Sequence, residues 1–132
     1  MIKKLLAIVT RVQTLENLNI VSFDIEGQTL RMMSLDLSDS IKIGCSVWLN
    51  IKATSVAIAK NFQGELSYSN QLHSSIVTIE NGALLSSIVL SIGEVNIESI
   101  ITLESSQRMN LKVGDEVLAL IKANEISISE IF

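Results

Sequence analysis

Proline is absent from the 132 residues, cysteine and histidine each occur once, and aromatic residues make up only 4% of the chain. Each scarcity removes a class of explanation. The single Cys45 rules out an internal disulfide, and with His73 as the lone imidazole a conventional Cys/His zinc site has too few ligands. Cysteine usage therefore fits a reducing compartment, and a cytoplasmic protein is expected. Without proline the strand edges lack one means of blocking further pairing, so other chains are expected to cover them. Positive charge is also scarce: the net charge is −4, which argues against a direct nucleic-acid partner, whose phosphates would have to be neutralised by Lys and Arg. No apolar run approaches a membrane span, and the opening MIKKLLAIVTRVQ is too short in its apolar part for a signal segment. There is no GxSxG, phosphate-binding loop or dinucleotide fingerprint, and Asp36, Asp39, Asp115 and Glu116 form no spaced pair suited to acid–base work. No catalytic residue and no cofactor are expected.

What remains is an aliphatic chain. Hydrophobic residues make up 48% and charged residues 18%, enough to build a core, and the mean hydropathy of +0.44 points to apolar surface buried between copies, hence a homo-oligomer. The chain is also a repeat. LAIVT (Leu6–Thr10) matches SSIVT (Ser74–Thr78), IKIG (Ile41–Gly44) matches LKVG (Leu111–Gly114), and IKA recurs at Ile51–Ala53 and Ile121–Ala123. The last two matches lie 70 positions apart and the first lies 68 apart, so the first copy is read as two residues shorter between Leu37 and Ile41. Two units are expected, residues 1–60 and 70–132, joined by a linker at 61–69. Val21, Phe23 and Ile25, and then Val47, Leu49 and Ile51, alternate with other residues at the strand period, while Asn81-Gly82 and Gly93-Glu94 signal turns. The fold expected is all-β, two tandem five-stranded barrels of the OB kind, each with one short helix.

The segment Ser99–Asn124, SIITLESSQRMNLKVGDEVLALIKAN, concentrates polar chemistry within this scaffold. Ser105 is read as the N-cap of a short helix at Ser106–Met109, where unpaired N–H groups favour an anion, and Lys122 ends the strand Val117–Ile121. Each residue also has a plain reading: Ser105 as a cap alone, Lys52 and Lys122 as solvated strand ends, Ser67 and Ser69 as linker.

These segments carry a family resemblance. SYSNQ (Ser67–Gln71) resembles the SARNQ motif that opens TOBE (Mop-type) domains, IITLESS resembles their ITxxSxx segment, and LKVGDEVLALIKA resembles LGLxxGxxVxxxIKA. The first copy keeps IKIGCSVWLNIKATSVAI but opens with MIKK. The resemblance implies a protein that binds molybdate or tungstate between domains of an oligomer, for storage, buffering or homeostasis. The metal arrives already coordinated by oxygen, so no residue ligates it directly. The implied oxyanion contacts are Thr102, Ser105, Lys122, Ala123 and Asn124 on one side and Ser67, Ser69 and Asn70 on the other, with Lys52, Ala53 and Thr54 as first-copy counterparts. Ser69 stands where the family has arginine, Ser34 aligns with Thr102, and Leu37 replaces Ser105. A sensing or interaction module working with a molybdate transporter ATPase or a transcriptional regulator, and a degenerate copy that binds nothing, are the alternatives.

Overall fold

A computed structural model describes residues 2–131, with the side chains of residues 4–131. The described residues form ten strands: β1 (Ile2–Leu15), β2 (Leu18–Ile25), β3 (Gln28–Ser34), β4 (Ser46–Lys52), β5 (Ala57–Ala59), β6 (Asn70–Asn81), β7 (Leu85–Ile92), β8 (Val95–Thr102), β9 (Glu116–Ile121) and β10 (Ile126–Ile131). One helix, α1 (Leu103–Arg108), and two 3-10 turns, Ala53–Ser55 and Ala123–Glu125, complete the elements. The strand period predicted from the sequence is the observed one. Val21, Phe23, Ile25, Val47, Leu49 and Ile51 are all buried, while Trp48, on the opposite face of β4, is half-buried.

Two curled five-stranded sheets of the OB kind result, with the orders β10-β4-β1-β2-β3 and β5-β9-β6-β7-β8. The long strands β1 and β6 each serve two neighbours, because each bends at a bulge. Register shifts lie between Val9 and Arg11 and between Ile76 and Thr78. At both bulges a turn glycine bonds the strand: the Gly44 N–H donates to Val9 O and the Gly114 N–H to Ile76 O, both at 2.8 Å. Both glycines hold positive φ, 93° and 94°, a backbone that a Cβ would strain.

The outermost strands are exchanged between the repeats. β10 leaves the second unit and pairs with β4, Ile126 opposite Ile51, and β5 leaves the first and pairs with β9, Ala57 opposite Leu120. The crossing takes place at the two 3-10 turns, each of which begins at the alanine of IKA and leads the chain to the other sheet. The turns touch where Ser55 Oγ donates to Glu125 Oε2 at 2.8 Å. Amide side chains also sew the sheets together along β3 and β6. As an edge strand, β3 has outward main-chain groups that no ladder satisfies. The buried Asn70 accepts from the Arg31 N–H at 2.6 Å and donates to Arg31 O at 2.9 Å, while Gln28 does the same for His73, both bonds at 2.8 Å.

Strand register corrects two points of the sequence alignment. Ile25 faces Gln28 in one hairpin and Ile92 faces Val95 in the other, so counterparts here lie 67 positions apart. The counterpart of Ser34 is then Ile101, and Leu35 falls at the place of Thr102. The first copy is three residues shorter, not two, before Ile41. Helix α1 fills the longer connection in the second unit, whereas Leu35–Ser40 has no helix. The short helix expected in each unit is therefore present once, because the shorter connection lacks the residues for a turn and a half of helix.

Candidate functional site

The segment Lys122-Ala123-Asn124 is built by the end of β9. Lys122 precedes the 3-10 turn with extended φ and ψ of −72° and 145°, and Lys52 precedes the other turn with −71° and 135°, so the repeated IKA has one backbone shape. Within the turn the Glu125 N–H donates to Lys122 O at 3.0 Å. The Ala123 and Asn124 N–H groups have no partner inside the turn, as at any helical start.

Facing this turn is the segment that opens β6. Ser67, Ser69, Lys122, Ala123 and Asn124 line one cavity of about 330 Å³, together with Arg31, Ile20 and Met33. Two hydroxyls, two cations and no carboxylate meet there. Five of the eleven residues expected at a site are thus brought together within one chain. Lys122 also lines a neighbouring cavity of about 270 Å³ with Thr54, Ser55, Tyr68 and Glu125. Thr54 therefore comes near the site from the other 3-10 turn. Ala53 is buried, and neither it nor Lys52 lines either cavity.

Asn70 is fully buried rather than open to the cavity, and the two bonds of its amide go to the main chain of Arg31. Thr102 and Ser105 lie elsewhere. The helix starts earlier than expected: Thr102, not Ser105, is the N-cap, and its Oγ1 accepts from the Ser105 N–H at 3.1 Å. The reason is that Leu103 and Glu104 already have helical geometry, which moves the cap to the last residue of β8. Thr102 Oγ1 also donates to Ser105 Oγ, and Arg108 Nη2 reaches the same Oγ at 3.2 Å while pairing with Glu104. This hydroxyl pair lies at the outer end of β8 beside Leu84 and Leu85, which are 80% and 55% exposed. Within one chain it does not join the Lys122 cavity.

Arg31 is the residue that the sequence did not offer as a site candidate. It sits in the first copy, in no recognised motif, and the β3–β6 seam, through Asn70, brings it to the cavity that Ser69 also lines. Among the described residues no group of three or more His, Cys, Asp or Glu side chains could hold a metal ion. No helix of the described residues is long and apolar enough to cross a membrane.

Comparison with known proteins bears on this geometry. The TOBE domain family matches residues 66–128. A probable molybdenum-pterin-binding protein of Haemophilus influenzae is 35% identical over 65 residues, covering 48% of this chain and 94% of that protein. Molybdenum-pterin-binding protein 1 of Clostridium pasteurianum is 36% identical over 64 residues, with the same coverage of each chain. A crystal structure of the cytoplasmic molybdate-binding protein ModG, with molybdate bound, matches with a TM-score of 0.90 at 23% identity, covering 97% of this chain and 95% of that one. At that identity the likeness establishes the shared fold.

Proposed function

From the premise that this chain belongs to the TOBE family, as a tandem pair of Mop-type units, we propose that it binds molybdate or tungstate reversibly in the cytoplasm. Its task would be storage, buffering or homeostasis of the oxyanion, with no reaction catalysed and no cofactor required. The observation that carries this reading is the convergence of Ser67, Ser69, Lys122, Ala123 and Asn124 on one carboxylate-free cavity. A tetrahedral dianion whose metal is already saturated by oxygen asks only for such donors, and the bonds to cations are the strongest of them. The relatives are named for binding molybdenum-pterin, and ModG for binding molybdate, which supports the same class of ligand here.

The site is completed between copies. Thr102 and Ser105 form the second half, contributed by a neighbouring protomer of a closed homo-oligomer such as a trimer. Their separation from Lys122 within one chain, and the exposed Leu84 and Leu85 beside them, support that division. The units 1–60 and 70–132, with the connecting 61–69, are the working domains of this reading. The hydroxyl half comes from the second unit, because the first lacks a counterpart of α1 and its hydroxyl cap.

A thermal-shift titration with molybdate, tungstate and sulfate at matched ionic strength tests the proposal, since binding to the native state raises stability by about RT ln(1 + [L]/Kd). The melting temperature should rise with molybdate and tungstate at concentrations where sulfate has no effect. A flat response to all three would contradict oxyanion binding and favour a module that acts through a transporter or regulator partner.

A further inference from the structure

The carboxylate-free cavity holds a cation that the family motif does not supply. Arg31 projects from the edge strand β3 of the first repeat and lines the cavity with Ser67, Ser69 and Lys122. Among the described residues its guanidinium has neither a hydrogen-bond nor an ion-pair partner. Its main chain, in contrast, is fixed at both polar atoms by the buried Asn70, the residue next to Ser69. The same amide that anchors the Ser67–Ser69 segment thus sets Arg31 across from it.

The repeat shows that this arginine is peculiar to one copy. In hairpin register Arg31 faces Ser22 and its counterpart Glu98 faces Val89, each 67 positions on. The second copy therefore carries a carboxylate where the first carries a guanidinium, and Glu98 accepts from Ser87, the counterpart of Ile20, at 2.5 Å. The two repeats therefore carry opposite charge at this strand position, and of the two side chains the guanidinium is the one that lines the Lys122 cavity.

Taken with the proposed function, on which this step rests, the geometry points to Arg31 as the cation that takes over from the arginine missing at position 69. The guanidinium is delivered from β3 of the other repeat instead of from the opening motif. Its planar fork donates to two oxygens of a tetrahedral dianion, a geometry that the point charge of lysine does not reproduce.

Calorimetric titration of sodium molybdate into the full chain tests this with Arg31→Ala, Arg31→Lys and the double variant Arg31→Ala/Ser69→Arg. Arg31→Ala should weaken binding at least about tenfold, the scale of one lost charge-assisted contact. Arg31→Lys should recover part of the loss, and Ser69→Arg in the Arg31→Ala background should recover most of it. The melting temperature without ligand should stay near that of the parent, because Asn70 binds only the main chain of residue 31. Unchanged affinity in Arg31→Ala, with a parent protein that binds, would overturn the role of Arg31 and leave the proposed function standing. A loss that Ser69→Arg leaves unrepaired would overturn the takeover. A parent that binds neither molybdate nor tungstate would overturn the proposed function, and this assignment with it.

Discussion

Lysine at the end of a strand is ordinarily a solvated residue, and its repetition in IKA was the signal that set Lys122 apart. On the proposed function, Lys122→Ala should weaken molybdate binding by at least about tenfold while leaving the apo melting temperature within a degree or two, because the side chain is exposed. Titration calorimetry on the variant checks this, and undiminished affinity would remove Lys122 from the site. Asn70 should behave differently. It is fully buried and bonded twice to Arg31, so Asn70→Ala should cost about 1–3 kcal/mol of stability by leaving the Arg31 N–H and C=O unpaired. Chemical denaturation measures that loss directly. The difference between these two residues was not legible in the sequence. Both lie in quoted family motifs, but a motif shows which residue types recur, and burial decides whether the polar atoms face a ligand or the chain itself. Arg31 was invisible for the complementary reason: it lies in no motif, and its relevance depends on a seam between strands that are remote in sequence.

Strands, by contrast, were legible where one face is buried and the other open, as in β2 and β4, since alternation then records the two faces. The helix was legible as an element but misplaced by its cap. Thr102 and Ser105 are both good capping residues three positions apart, and the sequence does not say which side chain accepts from which N–H. The fate of β10 was also hidden. Its alternation of Ile126 and Ile128 with Ser127 and Ser129 marks a strand, yet periodicity cannot say which sheet it joins. The exchange predicts that Ile126→Ala, a buried truncation in the second sequence unit, will cost about 2–4 kcal/mol and will reduce amide protection on β4 of the first unit. Hydrogen exchange resolved by residue is the measurement. Retained protection on β4 would contradict the pairing. The connection after α1 carries a pH-dependent element. A hydrogen bond from Lys60, joined by one from the Lys112 N–H, holds the Asp115 carboxyl below its ordinary 3.8. Because the folded-state value is depressed, this contribution is complete above the unfolded value and is lost as pH falls through the folded one. In the acid range below about pH 4, stability should therefore fall more steeply in the parent than in Asp115→Asn, as followed by melting temperature against pH.

At the scale of the molecule, the two sheets are locked by exchanged strands, by the contact of the two 3-10 turns and by the amide seam of Asn70 and Gln28. The proposed cavity lies on that seam, so both repeats supply its walls although only the second resembles the family closely. Sequence divergence in the first copy then fits a division of labour. It keeps the scaffold strands and the IKA turn, gives up the helix and its cap, and brings Arg31 instead. Duplication was readable from the sequence because glycine and lysine recur at one spacing, whereas the joint construction of a site was not, since it arises from pairing between the copies. Anomalous diffraction at the molybdenum edge from crystals grown with molybdate tests the central claim most directly. The account predicts one strong peak per chain in the cavity lined by Ser67, Ser69, Lys122 and Arg31, with Thr102 and Ser105 of a neighbouring copy close by. A peak confined to another cavity, or none at saturating molybdate, would contradict it.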